Sequence, residues 1–169
     1  NEKTTGGTTG VPFVNVVGER EQRVLIDLYT KVHAERFTST APRGVRFHDT
    51  HVAFERFIPT PIRFHEMSIY GSNTFEMTRS ILVDRHFEDG VDKDCTILVA
   101  GDRILRALTH DTKQKAGNLF RSALRYIFTY SNYLTAKSRR DYEATWGAKV
   151  IDTYGLSEIV GGATEHPEC

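Results

Sequence analysis

The stretch from Cys95 to Thr153 alternates apolar segments with segments of helical periodicity, and this alternation constrains the fold most. Residues Cys95–Gly101 are nearly all apolar and end in glycine, as in a strand buried on both faces. The segment that follows, Asp102 to about Lys115, repeats its apolar residues at helical spacing. The same order then recurs, and it predicts a strand at Leu124–Tyr130, a helix at Thr135–Trp146 stopped by Gly147, and a strand at Lys149–Thr153.

The first half of the chain shows the same two patterns less regularly. Val11–Val17 predicts a buried strand, and Glu19–Arg36 predicts an amphipathic helix because its apolar residues recur on one face. Proline-rich loops then surround short predicted strands at Val45–His48, Val52–Phe57 and Glu66–Tyr70.

A further helix is predicted to open after Gly71-Ser72. Asn73 is suited to the N-cap position, and Glu76 three residues later completes a variant of the capping box. Phe75, Ile81, Leu82 and Phe87 are expected on the buried face of this helix.

Strands that alternate with helices of this length require crossover connections, which produce parallel pairing. The sequence therefore predicts a three-layer α/β domain with a mostly parallel sheet and helices on both faces. No internal repeat or linker divides residues 1–169, so one unit is expected.

Charge and composition exclude several function classes. Twenty-two Lys and Arg residues balance twenty-two Asp and Glu residues, and no basic tract would attract nucleic acid or an anionic membrane. No apolar stretch is long enough for a membrane span or a signal peptide, so a cytoplasmic location is expected. Cys95 and Cys169 form no disulfide pattern, and Cys95 is expected to be a buried free thiol.

A loop of small and hydroxylated residues lies near the start of the chain, at Thr4–Pro12. Gly6, Gly7 and Gly10 permit close backbone approach, and Thr8 and Thr9 can donate hydroxyl hydrogen bonds to phosphate oxygens. No lysine precedes a Ser or Thr in this loop, so it is not a Walker A loop. Alone, the loop is a weak indication of phosphate binding, since such segments are also common in flexible termini.

A second motif, Asp152–Glu158, directly follows the last predicted strand. It offers an aromatic face, a hydroxyl and a carboxylate at Tyr154, Ser157 and Glu158. In parallel sheets, ligands bind beyond the carboxyl ends of the strands. The loop Tyr130–Tyr133 follows the neighbouring predicted strand, so it should emerge at the same edge as this motif.

Together the two motifs resemble the phosphate loop and the Tyr-Gly-Thr/Ser-Glu motif of the adenylate-forming superfamily, which includes acyl-CoA synthetases, adenylation domains and luciferases. Tyr154-Gly155-Leu156-Ser157-Glu158 and the residues that follow look most like the phenylacetate-CoA ligase branch. The loop Tyr130–Tyr133 resembles the adenine loop of the family, with Asn132 where the family has an acidic residue.

The resemblance implies binding roles for particular residues. The loop residues Thr5, Gly6, Gly7, Thr8, Thr9 and Gly10 would hold the phosphates of ATP, with Thr9 also acting in catalysis. Ser131, Asn132, Asp152, Tyr154, Gly155 and Ser157 would contact the nucleotide, with Tyr154 stacked on adenine and Ser157 near the α-phosphate. Glu158 would be catalytic by helping to hold Mg²⁺, which prefers hard oxygen ligands.

The reaction implied by the resemblance is activation of a carboxylic acid by ATP to an acyl-adenylate, followed by transfer to a thiol such as coenzyme A. The family's small C-terminal domain, with its catalytic lysine, is not in this sequence, so the chain is expected to be a fragment of the large N-terminal domain.

Three departures from the family leave an alternative open. Gly6 stands in place of a serine, Phe13 in place of a basic residue, and Asn132 in place of an acidic residue. They favour a non-catalytic nucleotide-binding or scaffolding module with the same fold.

Two histidine-containing segments could hold a metal. His48–His51 offers two imidazoles and a carboxylate, but successive side chains of a strand point to opposite faces, and structural zinc takes four ligands. His166 and Cys169 could supply two zinc ligands only if other residues complete the site.

Overall fold

The computed structural model describes residues 2–4, 14–16, 18–20, 23–24, 43–48, 63–84, 95–116, 122–130, 132–155 and 162–165. These ranges contain the strands β1 (Glu2–Thr4), β2 (Val14–Val16), β3 (Arg43–His48), β4 (Arg63–Ser68), β5 (Cys95–Gly101), β6 (Tyr126–Tyr130), β7 (Lys149–Gly155) and β8 (Gly162–Thr164). They also contain the helices α1 (Thr74–Arg79), α2 (Asp102–Ala116) and α3 (Ala136–Trp146), with a π-helical turn at Ser80–Asp84.

Six strands form one sheet in the order β4-β3-β5-β6-β7-β8. The first five are parallel to their neighbours, and β8 pairs antiparallel with β7. β1 and β2 form a separate antiparallel pair. The expected α/β fold with a mostly parallel sheet is therefore confirmed.

The main core lies between the sheet and the described helices. Leu98, Ile127 and Val150 point from three adjacent strands to this face, where they pack with Leu105 and Leu108 of α2 in one cluster. The alternate residues of the same strands, Ile97, Phe128 and Ile151, form a second cluster on the opposite face. Both faces of the central strands are thus buried, which explains why their sequences are almost continuously apolar.

Helix α3 ends where the sequence predicts and begins one residue later, at Ala136. The side chain of its N-cap residue, Thr135, accepts a hydrogen bond from the Ser138 amide at 3.1 Å. At the other end Gly147 adopts a left-handed conformation with φ 66°, and its amide bonds the Glu143 carbonyl. Trp146 is buried, and its indole N–H donates to Thr109 Oγ1 at 2.9 Å.

The predicted capping box at helix α1 is wrong. Asn73 does occupy the N-cap position, but at φ −111° and ψ 14° it lacks the extended backbone of a capping residue, and its side chain makes no cap hydrogen bond. The Thr74 hydroxyl ties down this turn instead, since it lies 2.7 Å from the Ser68 carbonyl oxygen and 2.9 Å from that of Gly71. A side chain at Gly71 would collide with that hydroxyl, because a Cβ there would lie 2.4 Å from it.

Several boundaries differ from the sequence-based expectations. β3 and β4 begin earlier than predicted, at Arg43 and Arg63, and β6 begins later, at Tyr126. β7 continues to Gly155, so part of the second motif is strand, and β8 was not predicted.

Other predictions fall partly or wholly outside the described residues. Val52–Phe57 lies there entirely, as does most of Glu19–Arg36, of which residues 19–20 and 23–24 are helical. Cys95 is a buried free thiol, as expected. Within the described ranges, no helix has the length and apolar character needed to cross a membrane.

Candidate functional site

The carboxyl ends of β6 and β7 lie side by side and bring two of the predicted segments together. Thr129 of β6 pairs with Asp152 of β7, and Tyr130 is the last residue of β6. Tyr154 lies two residues beyond Asp152, near the end of β7. The adenine-loop segment and the second motif therefore emerge from adjacent strands at one edge of the sheet, as predicted.

Two of the predicted site residues at this edge, Tyr154 and Asn132, are open to solvent. Tyr154 is 63% exposed, although it lies in a strand and its Cα pairs with that of Ala163 on β8. Asn132, just beyond β6, is also exposed. An exposed aromatic ring on a hydrogen-bonded backbone is suited to stacking on a flat ligand, because strand pairing fixes the point from which the side chain extends.

An ion-pair network holds the strand that carries Tyr154. Arg139 of α3 donates one hydrogen bond to the Val150 carbonyl at 2.6 Å and another to Glu165 Oε2 at 2.8 Å. The same Glu165 oxygen accepts from the Asp152 amide at 3.1 Å, and the Glu165 amide donates to the Asp152 carbonyl at 3.0 Å. Helix α3, β7 and the residue after β8 are thus tied together next to the motif.

This network favours the ionised form of the Glu165 carboxylate. Partial burial by itself raises the pKa of Glu165, but the hydrogen bond from the Asp152 amide and the bond and charge of Arg139 outweigh it. The net result is a Glu165 pKa below its ordinary value.

A second polar cluster lies where β5 passes into α2, at the same edge of the sheet. Asp102 is 3% exposed, and its carboxylate accepts from the Tyr142 hydroxyl at 2.8 Å and from Arg106 at 2.9 Å. Burial first, and then the hydrogen bond to Asp102, raise the pKa of the Tyr142 hydroxyl. The bond from Tyr142 joins α3 to α2, while Arg106 binds the other carboxylate oxygen from within α2.

Tyr130 forms a long-range contact across the edge. Its hydroxyl donates to the Phe47 carbonyl of β3 at 2.9 Å, although β5 lies between β6 and β3 in the sheet. The side chain therefore spans the end of β5.

The structure describes only part of the site predicted from the sequence. Asn132, Asp152, Tyr154 and Gly155 are described, and all four lie at or near the carboxyl ends of β6 and β7. The other predicted site residues lie outside the described residues: Thr5, Gly6, Gly7, Thr8, Thr9, Gly10, Ser131, Ser157 and Glu158. Asp49–His51 and His166–Cys169 also lie outside them.

Sequence reasoning missed the residues that support this edge. Asp102 could have been found, because it follows a buried strand directly and occupies the first turn of a helix. Arg139, Tyr142 and Glu165 carry no local signal, since their partners are distant in sequence. Of the described residues, no group of three or more His, Cys, Asp or Glu is arranged to hold a metal ion.

The arrangement of sheet, helices and carboxyl edge defines an α/β domain of the kind found in adenylate-forming enzymes, and solved structures of such enzymes resemble it. A 2-hydroxyisobutyryl-CoA ligase, crystallised in an open conformation with its acyl-adenylate and CoA, matches with a TM-score of 0.69 and 12% sequence identity. This match covers 94% of the present chain and 34% of the ligase.

Two further structures match over nearly the whole chain. VinN matches with a TM-score of 0.63 and 16% identity, over 99% of this chain and 39% of VinN. ATP-bound MatB from Rhodopseudomonas palustris also has a TM-score of 0.63 and 16% identity, over 99% of this chain and 31% of MatB. The chain thus spans about a third of the length of the structures that it matches, and the likeness shows the fold. No protein-family model and no curated protein matches the chain.

Proposed function

We propose that residues 1–169 form the nucleotide-binding core of an AMP-forming acid–thiol ligase of the phenylacetate-CoA ligase-like branch. The observation that carries this proposal is the position of Asn132 and Tyr154 at the carboxyl ends of two adjacent strands. Support comes from the fold shared with solved adenylate-forming enzymes, and from the acyl-adenylate and the ATP that are bound in two of those structures.

In the proposed reaction, a carboxylate oxygen of the acid attacks the α-phosphate of ATP. A new P–O bond forms, the bond between the α-phosphate and the bridging oxygen breaks, and pyrophosphate leaves with the electron pair. Coenzyme A is the proposed acceptor in a second step, in which its thiol takes the acyl group and AMP is released. Charge develops on phosphate oxygens, so positioning and hydrogen-bond donors would carry most of the catalysis.

Each part of the proposed site has a separate task. Tyr154 stacks on adenine, and Asn132 contacts the base edge through its amide. Thr8, Thr9 and the glycines of the loop at Thr5–Gly10 donate to phosphate oxygens. The carboxylate of Glu158 suits Mg²⁺, which would neutralise charge on the phosphates when bound. A C-terminal domain outside residues 1–169 is proposed to complete the catalytic centre.

Nucleotide binding is tested by calorimetry on the folded chain. Tyr154→Ala removes the stacking face, so affinities for AMP and Mg-ATP should both fall by ~1–3 kcal/mol. Glu158→Gln removes only the charge, so binding of Mg-ATP should weaken while binding of metal-free AMP stays within about twofold. Tyr70→Ala is the matched control, because Tyr70 is another exposed tyrosine, at 59% against 63% for Tyr154.

Three outcomes would count against the proposal. If the wild-type chain binds neither ATP nor AMP at millimolar concentration, the nucleotide site is wrong. If Glu158→Gln weakens AMP and Mg-ATP equally, the metal assignment is wrong. If nucleotide binds but the full ligase polypeptide shows no acid-dependent ATP–pyrophosphate exchange, the chain is a non-catalytic binding module.

A further inference from the structure

The direction in which the sheet grows reverses between β3 and β5. From β3 the chain adds β4 on one side, and it then returns to place β5, β6 and β7 on the other side. In open parallel sheets such a reversal opens a crevice beyond the carboxyl ends of the two central strands, and ligands bind there. In this protein the crevice lies between β3 and β5, next to the strand ends that carry the proposed nucleotide site.

Tyr130 reaches into that crevice from β6. Neighbouring strands lie about 4.8 Å apart, so β6 and β3 are separated by roughly 10 Å. The Tyr130 hydroxyl nevertheless bonds the Phe47 carbonyl oxygen of β3 at 2.9 Å. The residue paired with Tyr130 on the intervening strand is Gly101, which has no side chain. The tyrosine ring therefore spans the end of β5.

The position of the second substrate follows from the proposed reaction. The acid must lie beside the α-phosphate, and hence beside the nucleotide, along the same edge of the sheet. On the far side of β7 the antiparallel strand β8 pairs with Thr153, Tyr154 and Gly155. The side toward β5 and β3 is the one with the crevice, and Tyr130 occupies it.

We infer that Tyr130 sets the upper size limit for the acid that the site accepts, because its ring fills the crevice into which a longer acyl group would extend. This inference rests on the proposed function. It names the substrate class as small carboxylic acids. The hydrogen bond to the Phe47 backbone carbonyl helps to hold the ring in place.

The test uses acylsulfamoyl adenosines, stable mimics of the acyl-adenylate, with acetyl, hexanoyl and phenylacetyl groups. In the wild-type chain, affinity measured by calorimetry should fall at least about tenfold from acetyl to the two larger groups, the scale of a poorly fitting methylene. Tyr130→Ala should remove this fall in affinity. In Tyr130→Trp the fall in affinity from the acetyl to the larger groups should be greater than in the wild type. Tyr70→Ala, two residues beyond β4, should match the wild type.

Melting temperatures identify any variant that does not fold. If Tyr130→Ala does not fold, the test rests on Tyr130→Trp. Equal binding of all three acyl groups by the wild type would overturn the size limit. The size limit would also be overturned if Tyr130→Ala kept the wild-type preference for the acetyl group. If only Tyr130→Trp folds, an unchanged preference in that variant would overturn it. In these cases binding of AMP shows that the proposed nucleotide site survives. Failure of the wild type to bind AMP would instead overturn the proposed function, and the size limit with it.

Discussion

Replacement of Tyr142 by phenylalanine tests whether the Asp102 cluster holds helices α2 and α3 together. The substitution keeps the ring and removes the hydroxyl that lies 2.8 Å from Asp102 Oδ1. Tyr142 and Asp102 are 2% and 3% exposed, so water cannot readily replace the lost donor. A hydrogen bond to a charged group contributes about 1.5–3 kcal/mol, and that is the expected loss in the free energy of unfolding.

Urea unfolding followed by circular dichroism measures this loss. For a chain of this size the same change corresponds to a fall in melting temperature of roughly 3–12 °C. The slope of the free energy of unfolding against urea concentration, the m value, should stay the same, because the substitution does not alter the surface exposed on unfolding. Tyr154→Phe is the control, since Tyr154 is 63% exposed and its change should stay within about 0.5 kcal/mol.

A double-mutant cycle with Asp102→Asn separates the interaction from unrelated effects of each substitution. The coupling energy between Tyr142 and Asp102 should lie within the range of about 0.5–3 kcal/mol found for residues in direct contact. A loss below about 0.5 kcal/mol in Tyr142→Phe, or additive effects in the cycle, would refute the structural role of the cluster.

Three further outcomes are expected. The lowered pKa of Glu165 means that its ionised form stabilises the fold at pH values above its unfolded pKa, and that this stability is lost as the pH falls through the folded pKa. The difference in urea midpoint between wild type and Glu165→Gln should therefore shrink as the pH falls through that range, and a pH-independent difference would contradict the network. Arg139→Met should lower the free energy of unfolding at pH 7, and the double variant with Glu165→Gln should lose less than the sum of the two single losses. Additive losses would show that the pair is uncoupled. Gly147→Ala should lower the free energy of unfolding by about 1 kcal/mol because φ is 66°, and not because of a clash, since a Cβ would meet nothing within 4 Å. Gly147→Asn should lower it by less, because asparagine tolerates the left-handed conformation better; equal losses would exclude a conformational cause.

The central fold could be predicted from sequence because its signals are local. Strand β5 has the predicted bounds of Cys95–Gly101, and helix α3 lies within one residue of its predicted range. Both depend on short-range properties: continuous apolar residues for a doubly buried strand, and cap residues at the two ends of a helix. The parallel arrangement follows from the alternation of the two patterns.

The elements that were missed depend on tertiary contacts. β8 is three residues long, and only its pairing with β7 defines it as a strand. The start of α1 depends on the Thr74 hydroxyl and the Ser68 carbonyl six residues earlier, so the sequence pattern at Asn73 was misleading.

The location of the candidate site could be predicted from the sequence, but the hydrogen bonds and the ion pair that hold its strands could not. Parallel strands that end side by side place Asn132 and Tyr154 at one edge, and this follows from topology alone. The tie from Arg139 to Glu165 joins residues 26 positions apart, and the bond from Tyr130 to Phe47 joins residues 83 positions apart. Neither pair has a sequence spacing that would reveal it.

Photolabelling with 8-azido-ATP tests most directly whether nucleotide binds at the carboxyl ends of β6 and β7. Trypsin should release residues 126–137, which contain Asn132, and residues 150–169, which contain Tyr154, while residues 107–113 of α2 serve as the internal control. We expect label in one or both of the first two peptides, and excess AMP should prevent it. Labelling confined to other peptides, or labelling that AMP does not reduce, would contradict the proposed site.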